Sequence, residues 1–306
     1  MAMMRDILVV AIVVLSVSTS SNAQSTENSW SAEGGYTVLA EQFTAAWCEV
    51  CADVDPWMPE FTESNGNRVA RVALHDDFDD PLGTPITEHR TSRYSNGTPS
   101  APSFWFDGDL LAGGAPDRSS MHRQLLSAEG ARSGDTSISI NASFDSGRIF
   151  IVVSLMEWGA IEETQISIFV TEDSVTIDES KAINGITIHH DVVRAYSEAP
   201  LGVEDDGWSF GDGFSWMENH TISHSPNEVI FSSSISIPLG TDPSELSIVA
   251  VHESTGDSES HATLGVLRLE IGDSPVGSSI SIVAPMAIVM ILSTLSFKGR
   301  SRKSAP

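Results

Sequence analysis

The sequence predicts a small α/β domain, then an all-β antiparallel sandwich, then an apolar C-terminal helix long enough to cross a bilayer. Three observations carry this. Residues 36–127 alternate strand-like and helix-like patterns. From about residue 135 the helical patterns stop. Short alternating runs such as Ser137-Ile138-Ser139-Ile140 and Ser234-Ile235-Ser236-Ile237 recur there between turn residues. Residues 276–297 carry no charge, match the length of a spanning helix, and are followed at once by Lys298, Arg300, Arg302 and Lys303.

Taken in order, residues 1–23 read as a secretory signal. Arg5 supplies the charged start, an apolar run follows from Ile7, and Ser21-Asn22-Ala23 is a small-residue cleavage site. Residues 24–35 are polar and contain Gly and Ser, which predicts a flexible lead-in. Residues 36–44 (YTVLAEQFT) predict a buried strand and 52–61 a helix with a proline inside it. Residues 67–74 (NRVARVAL) alternate as a second strand. A loop over 75–84 leads to a short helix over 85–94. A third strand, 103–106, turns at Asp107-Gly108 so that Leu110-Leu111 pairs back, and 117–127 is the last helix. This is the βαβ–ββα order of a small α/β domain, assigned to residues 36–130.

Strand-like runs then follow at 136–144, 148–156, 164–172, 185–195, 221–225, 229–237, 246–253 and 265–271. Regular short strands without helices predict an antiparallel, immunoglobulin-like sandwich over residues 135–272. Basic residues beside a membrane span stay on the cytoplasmic side. The expected arrangement is therefore a single-pass protein of the cell membrane. Its N-terminal ectodomain faces outward, 276–297 is a transmembrane helix, and 298–306 is a basic cytoplasmic tail.

Charge narrows the partners. The chain carries 16 basic and 42 acidic residues, a formal net charge of −26. Between residues 24 and 275 there are 11 basic and 41 acidic residues, a net charge near −30, and Lys181 is the only lysine. Such a surface repels nucleic acid and anionic membranes. It suits a salt-rich exterior or a cationic partner.

The chemistry turns on two cysteines, Cys48 and Cys51, in Trp47-Cys48-Glu49-Val50-Cys51. They can close one short-range disulfide or hold a metal with help from elsewhere; a wider disulfide framework is excluded. His189 and His190 are adjacent, so on a strand they face opposite sides, and His220, His224, His252 and His261 show no ligand spacing. This argues against a zinc enzyme. No G-x-S-x-G, P-loop or dinucleotide fingerprint appears, and no cofactor is expected. The acidic loop His75-Asp76-Asp77-Phe78-Asp79-Asp80 reads as a solvated loop, with calcium binding as the other reading; the same pair of readings applies to residues 205–213.

A C-x-x-C placed strand-to-helix, with Ala101-Pro102 ahead of Ser103-Phe104-Trp105-Phe106-Asp107-Gly108, resembles the thioredoxin-like superfamily. The resemblance implies a cis proline opposite the cysteines, with Pro102 fitting by its spacing and Pro99 as the weaker candidate. The ectodomain further resembles the outer-membrane-protein-twenty-eight-like family, which joins a thioredoxin-like domain to a β-sandwich. Glu41-Gln42-Phe43-Thr44, Val72-Ala73-Leu74-His75, Asn96-Gly97-Thr98-Pro99 and His189-His190-Asp191-Val192-Val193-Arg194 carry that likeness.

The resemblance implies that Cys48, at a helix N-terminus, attacks and that Cys51 resolves the mixed disulfide. Trp47 would shield the sulfur, and Pro102 would hold its loop for a substrate chain. Thioredoxins place a buried carboxylate on the strand before the motif; the matching residue here is Gln42, with Glu41 beside it and able to serve from a shifted register. Glu49 puts a negative charge between the cysteines, which disfavours the thiolate and makes the couple more reducing. The expectation is a thiol–disulfide oxidoreductase that exchanges with exported protein thiols and disulfides or with a membrane electron donor. The rival is a cell-surface binding or adhesion protein with a structural disulfide, and a third reading is a copper chaperone using the two thiolates.

Overall fold

The computed structural model describes residues 28–94, 99–111, 114–132, 136–157, 162–203, 207–225, 227–255 and 263–272. The signal over 1–23, the span over 276–297 and the tail over 298–306 lie outside the described residues. Among the described residues no helix is long and apolar enough to cross a membrane.

The described chain is mostly β-sheet with a few helices. Its organising feature is a nine-stranded mixed sheet that passes from the first half of the sequence into the second. On one side lie β2 (Val38–Thr44), β3 (Val69–His75), β4 (Ser103–Phe106) and β5 (Asp109–Leu111). On the other lie β8 (Thr164–Glu172), β11 (Val192–Leu201), β12 (Trp208–Gly211), β15 (Leu246–Ser254) and β16 (Thr263–Glu270). The join is parallel. Val192 of β11 pairs with Ala73 of β3, and the Ala73 amide donates to the Asp191 carbonyl at 2.8 Å. The expected boundary at residues 130–135 therefore does not divide the sheet.

Each half covers the sheet differently. β2 and β3 are buried at every position, so both of their faces need a cover. One face packs Val38, Ala40, Val69, Phe104 and Phe106 against Met58 and Phe61 of α1 (Met58–Asn65) and Met121 and Leu125 of α3 (Arg118–Ala131). The opposite face sets Leu39, Ala70, Val72 and Leu74 against Ile86 of α2 (Pro85–Thr91), together with Phe169, Tyr196 and Val249 of the second half. Over β8, β15 and β16 a second, five-stranded antiparallel sheet lies instead. It is ordered β1 (Asn28–Gly34), β6 (Ser137–Asp145), β7 (Arg148–Met156), β14 (Glu228–Ser236) and β13 (Ser215–Ser225). Ile138, Ile140, Ile149, Ile151, Val153 and Phe231 from that sheet meet Ile166, Ile168, Ile248, Leu267 and Leu269, forming the sandwich core. A two-residue ladder joins β9 (Val175–Thr176) to β10 (Ile188–His189).

Several expectations need correction. Residues 28–34 of the expected flexible lead-in form β1, paired with β6 from Asn28↔Phe144 to Gly34↔Ile138. Trp30 is buried, and its indole N–H donates to the Gly272 carbonyl at 2.7 Å. One inward indole on an otherwise polar strand supplies the reason. The helix expected over 52–61 is broken into 3-10 turns at Cys51–Asp53 and Asp55–Trp57, and α-helix begins at Met58. Pro56 lacks a donor and disfavours helical geometry at Asp55 before it. The run expected over 185–195 splits into β10 and β11 at Asp191, whose φ of 54° is left-handed.

Candidate functional site

The C-terminal end of β2 delivers the dithiol. After Thr44 the chain turns, with the Cys48 amide donating to the Ala45 carbonyl at 3.1 Å, and Cys48 and Cys51 are joined as a disulfide with Cα atoms 5.3 Å apart. Cys48 is 4% exposed and Cys51 fully buried. Cys48 does not cap an α-helix, contrary to expectation. It precedes a three-residue 3-10 turn, and the amide that reaches its sulfur is that of Cys51, at 3.1 Å. Local donors rather than a long helix dipole are what can favour a thiolate here.

The remaining predicted residues separate into three groups. Trp47 and Ala101 pack against the cluster of Ala45, Cys48 and Cys51. The Ala101–Pro102 peptide is cis, and Pro102 is buried directly before β4. Glu49 is exposed in the turn between the cysteines. Gln42 and Glu41 part company, because neighbouring strand residues face opposite ways. Gln42 faces the α1 side, where its Nε2 donates to Asp55 Oδ1 at 2.5 Å and its Oε1 accepts from Arg71 Nε at 2.8 Å. Glu41 faces the α2 side and is locked to Arg90 Nε at 2.9 Å, with the Tyr94 hydroxyl on its other oxygen. Glu41 therefore serves no dithiol from a shifted register.

A buried carboxylate lies after the motif rather than on the strand before it. Asp55, one turn after Cys51, is buried and accepts from Gln42 and from Thr44 Oγ1 (2.7 Å). Burial raises its pKa above the ordinary carboxylate value, and Arg71, Thr44, His75 and Gln42 only partly oppose this. Asp55, Thr44, Arg71, His75, His189 and His190 line a small cavity. His75 and His189 meet edge to face at 4.9 Å between ring centres, and burial beside His75 holds His189 down to about 4.

The acidic loop braces this site from outside. Asp77, Phe78 and Asp79 are exposed, as a solvated loop predicts, but Asp76 and Asp80 are buried. Asp80 Oδ2 accepts from the Ala46 amide at 2.7 Å and pairs with His75 Nδ1 at 2.9 Å, while Oδ1 accepts from the Leu82 amide. Burial opposes ionisation of Asp80, yet His75 and these amides hold its pKa below normal. Gly83 closes the loop so tightly that a Cβ there would lie 2.0 Å from the Asp76 carbonyl oxygen. The Trp47 indole donates to the Phe78 carbonyl at 3.1 Å. From the second half, the Asn184 amide donates to the Ala46 carbonyl at 2.9 Å, and its side chain donates to that of Ala45 at 3.2 Å.

Asp55 and Asn184 were missed by sequence reasoning, and His75 and Asp80 were read only as parts of a solvated or calcium-binding loop. Asp80 lay within a run whose composition reads as solvated, and no spacing connects Asp55 to Gln42 or Asn184 to Ala46. Among the described residues no group of three or more His, Cys, Asp or Glu converges to hold a metal ion. A larger cleft of about 620 Å3 opens elsewhere, lined by Thr62, Glu63, Asn67, His190, Arg268 and Glu270 among others. None of Trp47, Cys48, Cys51 and Pro102 lines it.

The sequence matches no family model, and no curated protein matches it at a significant level. Solved structures do resemble it. HBP35 of Porphyromonas gingivalis aligns with a TM-score of 0.58 at 11% identity, over 81% of this chain and 78% of its own. A structural-genomics protein from Agrobacterium tumefaciens aligns with a TM-score of 0.51 at 14% identity, over 80% of this chain and 99% of its own. Identities this low concern the fold alone, and the likeness is consistent with a thioredoxin-like fold.

Proposed function

We propose that this chain is an extracytoplasmic thiol–disulfide oxidoreductase acting through Cys48 and Cys51. The observation that carries this reading is a disulfide between those two cysteines at the end of β2, packed against Ala101 of the cis Ala101–Pro102 loop. In the reducing direction the Cys48 thiolate attacks a substrate disulfide, forming a mixed disulfide and releasing one substrate thiolate. Cys51 then attacks the Cys48 sulfur. Its S–H proton passes to Asp55, the Cys48–Cys51 bond forms, and the second substrate thiolate leaves. The substrate gains two electrons and the dithiol loses them, so an exported thiol or a membrane electron donor must reduce the pair again. Run backwards, the same steps oxidise a substrate dithiol.

The sequence supports placing this chemistry outside the membrane, through the signal over 1–23 and the span and basic tail over 276–306. The likeness to the outer-membrane-protein-twenty-eight-like family rests on the segments quoted above.

A second reading has its own observation. Cys48 is only 4% exposed, which favours a cell-surface binding protein whose disulfide is structural. Equilibrating the full chain against glutathione buffers separates the two. A couple that opens within the range of known exchange catalysts supports the oxidoreductase; a disulfide that stays closed at the reducing end supports the scaffold.

A further inference from the structure

We infer that the rim of the dithiol is a docking surface for an extended, cysteine-bearing polypeptide that carries apolar and basic residues beside its cysteine. The inference rests on the oxidoreductase reading and names the substrate class of that site.

Three large apolar side chains project into solvent on segments anchored to the strip of backbone that bears the cysteines. Val50, 46% exposed, lies inside the motif. Phe78, 74% exposed, is carried by the loop whose carbonyl takes the Trp47 indole hydrogen bond. Ile183, 68% exposed, adjoins Asn184, which holds the Ala45 and Ala46 carbonyls. The second half of the chain thus contributes a residue to the rim. The bonds to these segments leave the side chains in water, although burial of the remaining apolar surface would stabilise each of them. Apolar side chains held outward on segments bonded to the backbone that bears the dithiol offer contacts to a chain that reaches it.

Charge selects the occupant. Glu49 adjoins Val50, and Asp77 and Asp79 flank Phe78; all three carboxylates are exposed. No ion pair of the described residues engages any of them. Lys181 is the only cation of the loop that carries Ile183, and it sits beside Asp178 and Glu179. Three exposed apolar side chains and three exposed carboxylates on these segments attract a basic, apolar chain and repel an acidic one.

The test uses the oxidised full chain and three thiols: 2-mercaptoethanol and two peptides of equal length with one cysteine, flanked by Leu and Lys or by Leu and Glu. Each thiol attacks Cys48, a peptide–Cys48 disulfide forms, the Cys48–Cys51 bond breaks, and Cys51 leaves with the electron pair and is protonated. The Lys peptide is expected to open the disulfide about tenfold faster than the Glu peptide at low salt, with the difference collapsing at high ionic strength. The double variant Asp77→Asn, Asp79→Asn is expected to narrow the gap, and Phe78→Ala to slow both peptides by a larger factor than it slows 2-mercaptoethanol. Equal peptide rates with a disulfide that 2-mercaptoethanol opens would overturn the docking surface and leave the oxidoreductase standing. A disulfide that none of the three opens would overturn both.

Discussion

Gln42 donates its side-chain amide to the carboxylate of Asp55, thirteen residues later, so the strand that leads into the dithiol positions an acid it does not itself contain. Gln42, the position where the thioredoxin-like resemblance implies a buried carboxylate, holds a hydrogen-bond donor to one instead. Thr44, two residues along the same face, supplies the second donor.

Asp55→Asn is the direct test of that arrangement. The amide keeps the shape and an acceptor for Gln42 but takes up no proton, so turnover of a disulfide substrate should fall by about tenfold or more. Stability should move the other way. Burial raises the Asp55 pKa above 3.8. Its stabilising contribution is therefore complete below that value and is lost as pH rises through the raised native one. At pH 7 the variant should match or exceed the wild type in urea, and it should lose the part of the decline in stability with rising pH that Asp55 supplies. Wild-type turnover in a folded Asp55→Asn chain would remove Asp55 from the mechanism.

Glu49 should tune the couple rather than run it. It is exposed between the two cysteines, and an exposed charge acts with about 0.5 kcal/mol, which for a two-electron couple is on the order of 10 mV. Glu49→Gln should shift the reduction potential upward by that amount, towards a more oxidising couple, and the shift should shrink in high salt. An unchanged potential at low salt refutes the idea.

Two histidines set the acid limit of the fold. Burial holds both His189 and His252 down to about 4, against about 6.5 in an unfolded chain. A depressed histidine contributes stability that is present above 6.5 and is lost as pH falls towards 4, by up to about 3 kcal/mol for each residue. His190 acts oppositely. Its hydrogen bond to Asp173 raises it, so its smaller, partly solvated contribution is present at low pH and fades as pH rises through its native value. Imidazole NMR signals at pH 5.5 should show His189 and His252 neutral and His190 protonated. A denaturation midpoint that is flat from pH 6.5 to 4.5 would contradict the assignment.

What could be read in advance follows from range. β4, β7 and β8 begin and end where the sequence places them, because local alternation and turn residues suffice. Asp107-Gly108, with φ of 51° and 90°, makes the two-residue hairpin that Asp-Gly predicts. The placement of Cys48, Cys51 and the cis Pro102 peptide likewise follows from local spacing and the family likeness. The rest depends on contacts between distant segments. The β3–β11 join brings Ala73 to Val192, and no pattern in either strand names the other. The sequence left Glu41 as a stand-in for Gln42 from a shifted register, because which side of β2 each residue meets depends on where α1 and α2 pack. The acidic loop had the composition of a solvated run, and only its fold distinguishes Asp80 from Asp79.

The last prediction concerns the face away from the dithiol. Arg90 of α2 is fully buried and donates to Glu41 of β2 (2.9 Å), to Glu253 of β15 (2.7 and 3.2 Å), to the Tyr196 hydroxyl of β11 (3.1 Å) and to the Tyr94 hydroxyl (3.0 Å). Burial opposes the charge, but Glu253 and Glu41 outweigh it and raise the Arg90 pKa. Glu253 is held below its normal value because Arg90 and Arg93 outweigh its own burial. Arg90→Met would leave Glu41 buried without its cation and Glu253 with only Arg93, 3.6 Å away, at a cost of about 3–5 kcal/mol. Replacing Glu41 and Glu253 by leucine as well should recover much of that loss, because the penalty is the unpaired charge rather than the missing bond. The network joins elements of both sequence halves, so the wild type should unfold in one transition and Arg90→Met should be the variant in which the halves separate first. A loss under 1 kcal/mol for Arg90→Met would mean that the charges are solvated and the network is not a lock. Glu41→Gln supplies the control for the dithiol: on the opposite face of β2 from Asp55, it should lower stability and leave the reduction potential of Cys48–Cys51 where it was.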